Sequence, residues 1–141
     1  MDEKFMKIAI AEAKKSSERG RCGAVITRDG IVISTAHNTQ RSSNDASAHA
    51  EINAIRLAGQ KLGNKYLEGC TIYCTCEPCT MCLSAIVFAK IGRIVYGLSF
   101  SDMFPDGMFY EKDMELFLSK AAHKIEVVKN FMKKECAGLI H

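Results

Sequence analysis

His49, Glu51, Cys79 and Cys82 are the residues of this 141-residue chain whose types and spacing most directly imply chemistry. One imidazole and two thiols are good zinc ligands. Three protein ligands leave the fourth tetrahedral position to water, which is the arrangement of a catalytic rather than a structural site. Glu51 follows His49 by two residues, and a carboxylate beside a metal-bound water is a good proton carrier. Cys79 and Cys82 are three apart, so a helix sets them a turn apart on one face. Near a helix N-terminus the dipole and the free N–H groups favour the thiolate that binds metal. His49 and Glu51 fall at the start of another helix, where side chains lean back toward the N-terminus and share one opening. A zinc ion held this way is roughly charge-neutral, yet it still pushes its water toward hydroxide near pH 7.

The cysteines admit a competing reading. Cys76, Cys79 and Cys82 begin like an iron–sulfur run, although no fourth cysteine followed by proline completes it. Cys74, Cys76, Cys79 and Cys82 together are also enough for a closed structural zinc site. A Cys-rich structural zinc or iron–sulfur protein is therefore the non-enzymatic alternative, and it leaves His49 and Glu51 without a role. The remaining scattered thiols, Cys22, Cys70, Cys74 and Cys136, read as packed free cysteines.

Something must hold these groups, and the pattern around them alternates helix and strand. Apolar residues recur at helical spacing from about Lys4 to Ser17, with Gly20 as a stop. Two β-branched runs, 23–27 and 31–34, flank Arg28-Asp29-Gly30, a hairpin signal. A polar loop from His37 to Ser47 follows, then a helix carrying His49 and Glu51 in its first turn, with Ser47 as its cap. A strand at 71–75 leads to a helix that Pro78 opens and that runs through Cys79 and Cys82 to Gly92. Residues 93–97 form another strand, 99–110 an irregular stretch turning at Pro105-Asp106-Gly107, and 114–118 a helix. A strand at 125–128 and a short terminal helix from Phe131 complete an α/β layered domain with a mixed sheet over residues 1–141.

Bulk properties narrow the classes further. Composition is 48% hydrophobic and 25% charged, ordinary for a globular protein, and no apolar run approaches a membrane span. The N-terminus lacks a secretory h-region, so the expected location is cytoplasmic, with no membrane partner. Residues 1–118 balance in charge, and the whole net charge of +3 comes from residues 119–141. That segment reads as a solvated helix face, with a nucleic-acid footprint as the alternative.

His49-Ala50-Glu51 followed by Pro78-Cys79-Thr80-Met81-Cys82 matches the H-x-E and P-C-x-x-C pattern of zinc-dependent base deaminases. The chain resembles the cytidine deaminase-like superfamily over nearly its whole length. Gly23-Ala24-Val25-Ile26, Asn38, Cys76-Glu77-Pro78-Cys79, Ile91-Gly92-Arg93-Ile94-Val95-Tyr96-Gly97 and Glu135-Cys136-Ala137-Gly138-Leu139 all fit. The likeness is to the branch of bacterial guanine deaminases, fungal cytosine deaminase and bacterial tRNA adenosine deaminases.

The resemblance implies a three-layer α/β/α fold with a five-stranded mixed sheet, one zinc per chain and a homodimer. It implies ligation by His49, Cys79 and Cys82, and Glu51 as the proton shuttle between a zinc-bound hydroxide, the ring nitrogen and the departing ammonia. Asn38 and the backbone N–H groups of Ala50 and Cys79 would contact the substrate or its attacking water. Ser43-Asn44-Asp45 and Lys61-Leu62-Gly63 look more like guanine deaminase. Ser99-Phe100-Ser101-Asp102 stands where tRNA enzymes usually carry Lys-Thr-Gly-Ala, and their Arg-rich last helix has no counterpart here. Asp106 and Tyr110 are candidates for the acid and tyrosine that complete a guanine deaminase pocket, and Phe109 and Tyr110 for stacking on a ring. The expected substrate is accordingly a small nucleobase or nucleoside, guanine first. The alternatives are the wobble adenosine of a tRNA, with RNA the less favoured partner, and cytosine.

Overall fold

A computed structural model describes residues 1–107 and 113–139. Helix α1 spans Asp2–Ala13, shorter than the periodicity predicts, because the chain turns at Lys14 and the apolar stripe ends there. Strands β1 (Gly23–Arg28) and β2 (Ile31–His37) pair antiparallel through a two-residue turn. Asp29 and Gly30 both have positive φ, 52° and 75°, the conformation a tight hairpin turn demands and Asp-Gly tolerates. Helix α2 (Ala50–Leu62) ends on Gly63, which takes the left-handed conformation at φ 65°. Strand β3 (Cys70–Cys76), helix α3 (Thr80–Phe88) and strand β4 (Arg93–Leu98) follow. Then come the one-turn α4 (Phe100–Met103), α5 (Met114–Ser119), β5 (Glu126–Val128) and α6 (Lys133–Ala137).

The strand order is β2-β1-β3-β4-β5, with β1 antiparallel to both neighbours and the β3-β4-β5 pairs parallel. Four of the five strands therefore point the same way, and β2, β3 and β4 bring their carboxyl ends to one edge. In open α/β sheets that edge is where ligands bind.

Both faces of the sheet are covered, so the inner strands are buried along nearly their whole length. Side chains alternate between two cores. Ala24, Ile26, Ile72, Cys74 and Ile94 meet Ala50, Ala54, Ala58, Leu83 and Ile86 of α2 and α3. Val25, Tyr73 and Val95 meet Phe5, Met6 and Ala9 of α1 and Cys136 of α6. The alanines at every fourth position of α2 let that helix lie close on the sheet. Gly23 serves α1 in the same way, since a Cβ there would collide with the backbone of Ala9 and Ala13. The mixed five-stranded, three-layer architecture is the one expected from the sequence.

Two local expectations are corrected. Ser99–Asp102 is not irregular: Ser99 and Asp102 form a reciprocal capping box that winds α4. Cys22 is not a free thiol but forms a disulfide with Cys76, their Cα atoms 6.1 Å apart, whereas Cys70, Cys74 and Cys136 are free and buried as expected. No helix of the described residues is long and apolar enough to cross a membrane.

Candidate active site

The loops after β2 and β3 deliver the two helices that carry the site, and both enter in the same way. His49 is the N-cap of α2 at φ −70°, ψ 159°, and Cys79 the N-cap of α3 at φ −70°, ψ 174°. The helices thus begin two residues later than the sequence suggests, at α2 relative to a Ser47 cap and at α3 relative to Pro78. Ser47 does not cap α2: the N-cap is His49, two residues on, and the Ser47 hydroxyl and N–H both donate to the Asp45 carboxylate. The extended backbone at His49 and Cys79 turns both side chains back over their helix ends, toward each other.

His49 Nδ1 lies 3.5 Å from Cys79 Sγ and 3.4 Å from Cys82 Sγ. The three candidate donor atoms all fall within 4.8 Å of one another. Zinc bonds of about 2.3 Å to sulfur and 2.0–2.1 Å to nitrogen, set tetrahedrally, require S···N edges of about 3.6 Å. The donor set fits zinc.

Charge within the cluster is shared as a metal site requires. Cys79 Sγ accepts the Cys82 N–H, as a cap, at 3.5 Å. The hydrogen bond from Cys82, opposed by burial and aided by His49, pulls the Cys79 thiol down to about 4. Cys82 is pushed far up by that same partnership and by burial, and His49 is raised by the Cys79 sulfur. Ligation of a cation by these groups would require both thiols as thiolates and release their protons. Glu51 is buried, and that burial pushes its carboxyl up to about 7 against the lowering effect of His49.

A cavity of about 960 Å³ opens in front of these groups, lined by His49, Ala50, Glu51 and Cys79 at its base. Asn38, Gln40, Arg41 and Ala46 make one wall, and Glu18, Arg19 and Gly20 continue it. Phe100, Met103 and Phe104 make another. A second depression of about 1370 Å³ between α3 and α5 shares Glu77 and Thr80 with the first and contains none of the candidate ligands.

Asn38 stands at the cavity, as expected. Its Oδ1 accepts the Gln40 N–H at 3.0 Å and its Nδ2 donates to Gln40 Oε1 at 3.1 Å, so it also shapes its own loop. Ala50 is fully buried at the base. Asp106 is exposed on the turn after α4 and is not among the lining residues. Phe109 and Tyr110 lie outside the described residues.

The aromatic wall was missed in Phe100 and Phe104. Their i, i+4 spacing behind Ser99-x-x-Asp102 is the signal that finds them, since the capping box starts a turn that stacks both on one face. Their ring centroids are 5.1 Å apart. Glu77, between the metal-binding loop and that turn, accepts the Phe100 N–H at 2.9 Å and so ties the aromatic wall to the loop before Cys79.

A three-layer sheet with a His-Cys-Cys cluster and a buried glutamate at its carboxyl edge is the frame of a zinc-dependent hydrolytic deaminase. The chain belongs to the family described as the cytidine and deoxycytidylate deaminase zinc-binding region, which matches residues 1–98. Among curated relatives, a tRNA-specific adenosine deaminase of Bacillus subtilis is 39% identical over 142 residues, covering 99% of this chain and 86% of that protein. A guanine deaminase of the same organism is 38% identical over 117 residues, covering 78% of this chain and 75% of that protein. A solved structure from work on A-to-I editing by tRNA:A34 deaminases superposes with a TM-score of 0.84 at 38% identity, covering 98% of this chain and 99% of that one.

Proposed function

We propose that this deaminase acts on adenosine in the anticodon loop of a tRNA, converting it with water to inosine and ammonia. The observation that carries this reading is the extent of the likeness. The tRNA-specific relative corresponds along 99% of the chain at 39% identity, the guanine deaminase along 78%. This reverses the order expected from the short stretches at 43–45 and 61–63. Exposed arginines at the cavity rim, Arg19 and Arg41, support it by offering phosphate contacts.

In this reading His49, Cys79 and Cys82 hold one zinc ion. When bound, zinc supplies a Lewis-acidic centre that makes water a nucleophile near neutral pH. Glu51 takes one proton from the attacking water and delivers it to the ring nitrogen, then carries the second, from the hydroxyl left on the ring carbon, to the leaving amine, so that a carbonyl replaces NH₂ and ammonia departs. The Ala50 N–H belongs to the uncapped first turn of α2 and is a free donor for the purine edge. Asn38, held in place by Gln40, keeps a second amide hydrogen and a second lone pair for the base. Phe100 and Phe104 offer a ring face on which an unstacked base can lie.

The protein acts as a homodimer through α3. That helix, Thr-Met-Cys-Leu-Ser-Ala-Ile-Val-Phe, is apolar nearly all round, which suits a helix covered on every side. Yet Phe88 is 81% exposed and Met81 37%. A second copy seated there covers both. Phe88→Glu is expected to yield a monomer in light scattering, and a wild-type monomer would remove the dimer.

Ammonia release on a panel of guanine, cytosine, adenine, their nucleosides and an anticodon stem-loop tests the substrate. Turnover of the stem-loop is expected. Turnover of guanine with an inert stem-loop would restore the free-base reading.

A further inference from the structure

Asn53 lies on α2, four residues beyond His49, and the chemistry above gives it no task. Its side chain nevertheless reaches the junction on which one cavity wall hangs. Asn53 Nδ2 donates to the His37 carbonyl at 2.9 Å, to Thr39 Oγ1 at 3.0 Å and, more weakly, to the Ala48 carbonyl at 3.4 Å. Those acceptors come from the last residue of β2, the start of the polar loop and its end just before α2. The Thr39 N–H closes the same junction by donating to the Ala48 carbonyl at 3.0 Å. Asn38, flanked by His37 and Thr39, is carried between two of these anchors. The loop so closed contains Gln40, Arg41 and Ala46, all on the cavity. Asparagine is a poor residue for a helix interior, so its presence mid-helix calls for a side-chain role.

We propose that Asn53 is a positioning residue: it clamps both ends of the 38–48 loop and thereby aims the Asn38 amide at the substrate. The metal ligands are not what it orients. His49 is fixed by the backbone of α2, including the Asn53 N–H bond to its carbonyl at 3.0 Å, which any residue at 53 preserves. The effect of losing the side chain therefore falls on substrate binding. The inference rests on the proposed function in one respect, the contact between Asn38 and substrate, whereas the clamp itself is readable without turnover.

The test uses the zinc-loaded full chain with Asn53→Ala, Thr39→Val, Asn38→Ala and the Asn38→Ala/Asn53→Ala pair. Asn53→Ala is expected to raise KM about fivefold, as the loss of hydrogen bonds of ordinary strength implies, with kcat within about twofold. Its zinc content is expected to stay at one per chain. Thr39→Val, which removes an acceptor and leaves α2 untouched, should raise KM in the same direction. In the Asn38→Ala background, Asn53→Ala should add less than about twofold, because it acts through the residue already removed. Hydrogen exchange should quicken at the Thr39, Asp45 and Ala48 amides and stay unchanged in β1 and β3. A variant that loses thermal stability while keeping KM overturns the proposal, as do KM penalties that multiply in full. If wild type turns over nothing on the panel, the substrate assignment fails, and loop exchange alone decides the clamp.

Discussion

In the proposed reaction Glu51 is the residue on which the chemistry turns. Its carboxyl is buried beside the His49 imidazole at the cavity base, where a proton can be held and returned. Glu51→Gln preserves the shape and leaves the His-Cys-Cys donors untouched, so zinc content is expected to stay at one per chain. Deaminase activity is expected to fall by about 10² to 10⁴, the usual contribution of a positioned proton carrier. Metal analysis alongside single-turnover assay checks both halves. A variant that loses zinc, or that turns over at the wild-type rate, removes the assigned role. At this scale the sequence was most informative, because zinc restricts its ligands to few residue types and α3 ties Cys79 to Cys82 by local geometry. The Cys22–Cys76 disulfide was not legible for the opposite reason. Its partners are 54 residues apart, and only the folded sheet brings them together.

Elements position those residues, and their ends matter more than their middles. Helices α2 and α3 were legible from apolar spacing, but not that His49 and Cys79 would be the caps themselves, since cap assignment depends on extended backbone set by the preceding loops. The turn α4 was written in Ser99-x-x-Asp102 and overlooked because four residues carry little periodicity. Helix α1 is moored to the sheet by a pair that has a titration signature. Asp2 bonds Arg93 of β4 through both carboxylate oxygens, at 2.9 and 2.7 Å, and also accepts the Tyr73 hydroxyl proton at 2.6 Å. The Arg93 hydrogen bonds, chief among the causes, hold the Asp2 carboxyl down at about 2. A carboxylate whose folded pKa lies below its unfolded value adds stability above the unfolded pKa and loses it as pH falls through the folded one. The window here runs from about pH 4 to about pH 2. Discounted for partial solvent exposure, the pair contributes about 1 kcal/mol. Urea unfolding should show Asp2→Asn less stable than wild type by that amount at pH 6, with the gap closing toward pH 2. A gap that stays constant across that range would assign the stability elsewhere.

At the scale of the whole molecule, the sheet gathers three strand ends into one edge and leaves the charge to decide what approaches it. The fold class was readable because alternating helices and strands of this length admit few layer arrangements. The substrate was not, because the stretch after β4 carries no base-specific spacing, and the terminal lysines, read as a solvated face with a nucleic-acid footprint as the alternative, do not decide it. Lys129 is engaged by Glu115 and Lys133 by Asp102 of α4, so two of the five are committed to the protein itself. The rim arginines are better placed, one on each part of the loop wall. If the anticodon loop seats there, each phosphate contact releases counterions, and the logarithm of affinity falls by about 0.7 per contact per logarithm of salt on single strands. Stem-loop KM is therefore expected to rise steeply between about 50 and 200 mM salt, and Arg19→Ala or Arg41→Ala to lower that slope by about 0.7 each while sparing kcat. A free purine carries no phosphate, so its KM would be nearly flat over the same range. A flat profile for the stem-loop would leave the zinc chemistry in place and return the substrate to a small base.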